Sequence, residues 1–135
     1  MIPISALCLF FSLFSALALA VVPTSLEPLY AEALLAYNSK HYKETLELLD
    51  RLIKAEPKQI EALELKALTL KAERNIPQAI DTYRSLVAIG EAQRVSKEEL
   101  APYFFELGTL YFNIKQYWVS RQQFLQSIEN HFNEG

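Results

Sequence analysis

The sequence predicts an all-α fold in which three helix–turn–helix pairs stack into a solenoid. Apolar residues recur at helical spacing from residue 27 to residue 131, and no stretch alternates apolar and polar residues as a half-buried strand does. Three segments also resemble one another, beginning at Lys40, Arg74 and Lys115, which lie 34 and 41 residues apart. Internal repetition at this length is typical of stacked helical pairs, because one pair alone leaves an apolar face exposed.

An apolar segment precedes the repeats. Residues 4–22 contain no charged side chain, and the first charged side chain is that of Glu27. The segment fits a signal peptide cleaved after Ala20, and it is also long enough for a membrane anchor. A buried core helix is disfavoured, because no charged residue gives it a solvent face. We expect residues 1–22 to export the remainder, which is periplasmic or extracellular after cleavage and otherwise anchored on the non-cytoplasmic side of the membrane.

Start and end signals delimit the first four helices, which follow a short linker at residues 23–28. Glu27 and Pro28 of the linker suit a helix start, and Pro57 ends the second helix. Pro77 is tolerated in the first turn of the fourth helix, and Gly90 is expected to end that helix. The first three predicted helices span residues 27–39, 42–55 and about 60–73. The fourth follows a tight turn at residues 75–77, has Pro77 in its first turn, and runs to Gly90.

The last pair follows a predicted insertion at residues 94–100. Ser96 and Glu99 have the spacing of a capping box, which opens the fifth helix at residue 97. Pro102 does not suit a continuous helix, so we expect a kink or a separate turn there. The fifth helix should continue to about Ile114, and the sixth should cover about residues 117–131.

Aligning the three segments places small residues at matching positions. Glycine inside a helix costs roughly 0.5–1 kcal/mol relative to alanine, so Gly108 requires a compensating reason. Its matching residues are also small, which predicts a column where two helices pack closely. The matching sets are Ala33, Ala67 and Gly108; Thr45, Ala79 and Ser120; Leu49, Tyr83 and Phe124; and Tyr42, Ile76 and Tyr117.

These spacings resemble the tetratricopeptide repeat (TPR) family. Leu107-Gly108-x-x-Tyr111 followed by Tyr117-x-x-Ser120-x-x-x-Phe124 fits the TPR pattern, although alanine is usual where Ser120 stands. The resemblance implies a TPR-type α-solenoid with repeats at residues 26–59, 60–93 and 101–134. It also implies that the first helix of each pair lines a concave surface.

The composition and residue spacing argue against nucleic-acid binding, metal binding and enzyme activity. Thirteen Lys and Arg against 16 Asp and Glu give a net charge of −3, without the basic stripe that nucleic acid requires. His41 and His131 are predicted at helix ends, and no spacing suggests a metal site. The only cysteine, Cys8, lies in the apolar segment. We expect no enzyme activity, metal, cofactor or nucleic-acid partner, and membrane contact only through residues 4–22 if they are retained.

The concave surface is the predicted binding site. It should have an apolar, aromatic floor and an acidic rim, which suits an extended or helical peptide. The alternative is that Tyr30, Tyr37 and Phe112 only pack helices together. The candidate residues are Tyr30, Leu34, Tyr37, Asn38, Glu61, Glu64, Leu68, Lys71, Phe105, Thr109, Phe112 and Asn113.

We therefore expect an exported or membrane-anchored interaction module, a scaffold or assembly factor with a protein or peptide partner. One alternative is the N-terminal targeting arm of a larger enzyme. Another is a structural domain that self-associates, or is covered by further repeats, at its C-terminal end. The residues expected to lack cover there are Phe124, Leu125, Ile128 and Phe132.

Overall fold

The computed structural model describes residues 26–132, which form six α-helices. The helices are α1 (Glu27–Asn38), α2 (Tyr42–Ala55), α3 (Ile60–Ala72), α4 (Ile76–Ala92), α5 (Lys97–Asn113) and α6 (Tyr117–Phe132). No strand occurs within this range. The expected export segment, the first part of the linker and the last two residues of the third predicted repeat lie outside the described residues.

The helices stack in chain order. Each packs on the next, and α1 also contacts α3. One apolar cluster joins the first pair to α3, and a second joins α3 and α4 to α5. The core thus runs through the boundaries between pairs, as expected of a solenoid. Its two clusters are Ala33, Leu49, Leu52, Ala62 and Leu65, and Ala67, Leu70, Ala79, Ile80, Tyr83, Val87, Leu100, Phe104, Leu107 and Leu110.

Four of the interhelical turns share one geometry. Each contains a basic residue in the left-handed region: Lys40, Arg74, Arg94 and Lys115, with φ between 60° and 63°. The next amide donates to a carbonyl five residues earlier, as His41 N–H does to Ala36 O at 2.9 Å. This is the Schellman arrangement, in which glycine usually occupies the left-handed position. Three of these basic residues also match in the repeat alignment, a signal that the sequence-based prediction did not use.

The prediction that Gly90 ends the fourth helix is wrong. Helix α4 continues to Ala92, and the residue in the left-handed conformation is Arg94. A Cβ on Gly90 would lie 2.6 Å from Leu100 Cδ2, so this glycine instead permits close packing between α4 and α5. Helix α4 has 17 residues against 14 in α2, and α5 has 17 against 13 in α3. The longer spacing before the last pair is therefore absorbed by two longer helices.

The separate turn considered at Pro102 does not form, because α5 is one continuous helix from Lys97 to Asn113. Pro102 is its sixth residue, so the missing N–H removes only the bond to the carbonyl of Glu98. The helix start is capped as predicted, with the Glu99 N–H donating to Ser96 Oγ at 3.2 Å.

The predicted small-residue columns are confirmed as close-packing positions. All six residues are buried: Ala33, Ala67, Gly108, Thr45, Ala79 and Ser120. A Cβ on Gly108 would lie 2.6 Å from Cδ1 of Phe124. The Ser120 hydroxyl also donates to the Gly108 carbonyl at 2.7 Å. Gly108 thus lets α5 and α6 approach each other, which accounts for a glycine inside a helix.

Candidate protein-binding surface

The twelve candidate residues lie on the first helices of the pairs, α1, α3 and α5, and nine of them form three sets at matching positions. Matching positions are those related by the 34- and 41-residue spacings of the sequence repeat. Stacking in a solenoid brings such positions near the next first helix along the chain. The matching sets are Tyr30, Glu64 and Phe105; Leu34, Leu68 and Thr109; and Tyr37, Lys71 and Phe112.

Two polar contacts join α3 to α5 on this surface. The Tyr103 hydroxyl donates to a Glu64 carboxylate oxygen at 3.2 Å. The Lys71 ammonium donates to Oε2 of Glu106 at 2.7 Å, with both side chains about two-thirds shielded from solvent. Because Tyr103 and Glu106 are three residues apart on α5, they project from one face of that helix. These contacts hold the third pair against the second.

Carboxylates lie close to the tyrosines of this surface. Burial, and then the Glu64 carboxylate, raise the pKa of Tyr103 to about 12. Burial likewise raises the pKa of Tyr30, with smaller contributions from Glu64 and Glu61. Burial and neighbouring carboxylates also raise the pKa of Tyr83. The phenols are therefore neutral at physiological pH and lie in a region of negative potential.

The accessible apolar side chains of this surface lie on α1 and α5. Leu34 is 40 % exposed, whereas Tyr30, Tyr37 and Leu68 are half-buried. The ring of Tyr37 packs against that of Tyr42, with centroids 5.9 Å apart. Tyr37 therefore contributes to packing and still presents part of its ring to solvent. Two polar candidates, Asn38 and Glu61, are exposed beside them.

The candidates from α5 have different neighbours. The Phe105 ring lies 5.4 Å from that of Phe124, and the Phe112 ring lies 5.3 Å from that of Tyr117. Both phenylalanines therefore lean on α6, yet each remains more than half exposed. The Thr109 hydroxyl donates to the Phe105 carbonyl at 3.1 Å, and Asn113 is exposed. That all three first helices contribute to one binding groove remains a prediction.

Sequence-based prediction missed two residues of this surface, Tyr103 and Glu106, which hold α5 against α3. The spacing of Tyr103 and Glu106 could have indicated a shared face, but their partners on α3 become evident only from the stacking.

Within residues 26–132, no group of three or more His, Cys, Asp and Glu side chains is placed to hold a metal ion. Among the helices of the same range, none combines the length and apolarity that crossing a bilayer requires. The expected anchor at residues 4–22 is not part of that range.

Comparison with known proteins bears on the fold. The structure is similar to the "N-terminal domain of stress-induced protein-1 (STI-1) from C.elegans", with a TM-score of 0.72 and 18 % identity, over 81 % of this chain and 88 % of that one. It is also similar to the "MamA RS-1 ArsTM double mutant", with a TM-score of 0.68 and 19 % identity, over 80 % of this chain and 57 % of that one. Both neighbours contain TPRs.

The fold is TPR-like. At these identities the similarity establishes the fold alone. No family model and no curated protein matches the chain. The TPR-like fold accounts for the six helices, their consecutive packing and the buried small residues at matching positions of the three pairs.

Proposed function

We propose that the chain is a protein-interaction module that binds a peptide segment of a partner along its first helices. The observation that supports this most strongly is the combination of accessible Leu34 and half-buried Tyr30 and Tyr37 with the carboxylates of α3. Partly exposed aromatic and aliphatic side chains provide the anchoring contacts of many interfaces. TPR-like neighbours agree with this class of function.

The charges indicate the chemistry of the partner. Three carboxylates, those of Glu61, Glu64 and Glu106, accompany one ammonium group, that of Lys71. Lys71 and Glu106 are paired with each other, so Glu61 and Glu64 remain as the charges that a ligand meets. We therefore expect a peptide with an apolar anchor flanked by Lys or Arg. The acidic rim would then act mainly on the association rate and on specificity.

We further propose that the module works outside the cytoplasm as a scaffold or assembly factor. Export rests on the uncharged run at residues 4–22 and the potential cleavage motif ending at Ala20. Intact mass of the exported protein tests it: the mature chain should begin at Val21, or the full chain should stay with membranes after alkaline carbonate washing. A soluble cytoplasmic product that retains Met1 would contradict both forms of the proposal.

Selection from a displayed peptide library tests the binding proposal without a known partner. The parent chain should enrich peptides that carry an aromatic or aliphatic residue flanked by Lys or Arg. Glu61→Lys should slow association of those peptides and reduce its dependence on salt, because Glu61 is exposed on the rim. Glu47→Lys is the matched control, since Glu47 is exposed on the second helix of its pair. No enrichment, or equal association rates and salt dependence for the parent and Glu61→Lys, would contradict the proposal.

A further inference from the structure

The two ends of the helix stack expose positions that are buried at the boundaries inside it. At the boundary between the second and third pairs, Tyr83 is 1 % exposed and Val87 is 7 % exposed, and both pack in the cluster that includes α5. Their matching residues on α6 are Phe124 and Ile128. Phe124 is only half-buried, and Ile128 is 54 % exposed. The difference arises because no described helix follows α6.

The surroundings of these residues are also apolar. At the internal boundary, Glu64 and Lys71 form the polar contacts with α5. Their matching residues on α5 are Phe105 and Phe112, which are 56 % and 57 % exposed. The C-terminal face, as we define it, is an exposed apolar surface formed by Phe105, Phe112, Phe124, Leu125 and Ile128.

At the opposite end of the stack, α1 exposes the positions by which the later first helices, α3 and α5, pack on the preceding pair. Leu35 on α1 is 67 % exposed, whereas its matching residues Thr69 and Leu110 are fully buried. Pro28 and Ala31 match Tyr103 and Glu106 of α5, the residues that contact the preceding pair. We define the N-terminal face by the exposed residues Pro28, Ala31, Glu32 and Leu35.

We propose that the N-terminal face of one copy of this chain packs on the C-terminal face of a second copy, in the alignment by which α5 packs on α3 and α4. In that alignment Phe105 of one copy meets Pro28 of the other, and Phe112 meets Ala31 of the other copy. Inside the chain these positions hold the polar pairs of Glu64 with Tyr103 and of Lys71 with Glu106. Both members of each pair become apolar together at the ends, so these two positions bury no unmatched polar group.

A charge pair is also available across the proposed contact. Inside the chain, Lys66 of α3 donates to Asp50 of α2 at 2.7 Å. Across the proposed contact, Glu32 of one copy takes the position of Lys66, and Leu125 of the other copy takes the position of Asp50. Arg121 lies one helical turn before Leu125 and is exposed, so the proposal pairs its guanidinium with Glu32 of the second copy.

This contact joins two different faces, so it leaves one free face at each end of an assembly. Head-to-tail contacts of this kind continue into open chains of copies, whereas a contact between two identical C-terminal faces stops at a dimer. The two modes can therefore be separated by the number of copies and by which variants join together.

Cross-linking of the full chain tests the proposal. Cys8→Ser removes the only natural cysteine, and Ala31→Cys and Phe112→Cys then place a thiol on each face. Treated with a short bis-maleimide, the double-cysteine chain should form a ladder of dimers, trimers and larger species. Each single-cysteine chain alone should remain a monomer, and an equal mixture of the two should stop at a dimer. Circular dichroism should show parental helicity, because both substituted positions are exposed.

A matched control keeps one thiol on the N-terminal face and moves the other to Lys54→Cys. Lys54 and its matching residues Ala88 and Glu129 are all exposed, so this position lies away from the boundaries between pairs. A ladder no stronger than that of the Ala31→Cys, Lys54→Cys control would overturn the proposal. Dimers of the chain with Phe112→Cys alone would also overturn it, since they show contact between identical faces. Leu34→Ala should leave the ladder unchanged, so failure of the peptide-binding proposal is measured separately.

Discussion

At the scale of single residues, the two helical glycines of the described chain pack against different kinds of atoms. A Cβ on Gly90 would meet one terminal methyl of Leu100, whereas a Cβ on Gly108 would meet three ring atoms of Phe124 within 3.0 Å. A terminal methyl moves away by a side-chain rotation. An aromatic ring must move as a unit, and the Phe124 ring is also in contact with Phe105.

Gly108→Ala should therefore destabilise the fold, and Gly90→Ala should not. Alanine favours a helix by about 1 kcal/mol over glycine, but overpacking costs roughly 1–3 kcal/mol. We expect a net loss of about 1 kcal/mol for Gly108→Ala and little change or a gain for Gly90→Ala. Thermal melts of the two variants beside the parent provide the measurement. A Gly108→Ala variant as stable as Gly90→Ala would show that Phe124 does not restrict this position.

Tyr103 provides a second prediction at this scale. Tyr103→Phe removes the donor to Glu64, which should cost about 1 kcal/mol at neutral pH. The pKa of Tyr103 is about 12 in the folded chain and about 10 when unfolded, so the unfolded state loses this proton first as the pH rises. The stability from this shift is present below pH 10 and is lost towards pH 12.

Urea unfolding between pH 9 and 12 should consequently show a smaller loss of stability for Tyr103→Phe than for the parent. Tyr117→Phe is the control, because Tyr117 is 56 % exposed on α6. If the parent and Tyr103→Phe lose stability in parallel over this range, Tyr103 is not shielded beside Glu64 as the structure indicates.

At the scale of helices and turns, hydrophobic periodicity was enough to predict every described helix. Each begins at or next to the predicted start and ends within two residues of the predicted end. Gly90 does not end α4, because its missing Cβ makes room for Leu100 of α5. Pro102 does not break α5, because a proline at the sixth residue of a helix removes only one backbone hydrogen bond.

The turns were the less predictable part, because basic residues occupy a conformation that usually favours glycine. A left-handed conformation costs a residue with a Cβ about 1–2 kcal/mol, and a positive charge at a helix C-terminus recovers roughly 0.3–1 kcal/mol. Arg74→Gly should therefore stabilise the chain by about 0.5 kcal/mol, after allowance for the greater freedom of glycine when unfolded.

The same Arg-to-Gly change inside a helix is the control for this prediction. Arg84 is exposed on α4, and Arg84→Gly should cost about 1 kcal/mol. Equilibrium unfolding in urea compares the two. Equal destabilisation by both changes would mean that the left-handed conformation at Arg74 carries no strain.

At the scale of the whole molecule, the repeat alignment predicted more of the fold than of the site. It identified the small residues that pack between helices, because burial follows directly from their positions. It did not identify the contacts of Tyr103 and Glu106 with α3, because these join residues at different positions of neighbouring pairs. Their pairing depends on how one pair is offset from the next, which the spacing of apolar residues does not specify.

Two adjacent leucines of α1 test the proposal that the first helices bind a peptide. Leu34 lies among the predicted groove residues and is 40 % exposed, whereas Leu35 lies on the N-terminal face and is 67 % exposed. The measurement is the equilibrium affinity of one library-selected peptide for Leu34→Ala and Leu35→Ala, with helicity checked in parallel. We predict that Leu34→Ala weakens binding by about 1–2 kcal/mol, while Leu35→Ala retains the parental affinity. Equal affinity of the peptide for the parent and a folded Leu34→Ala would contradict the claim.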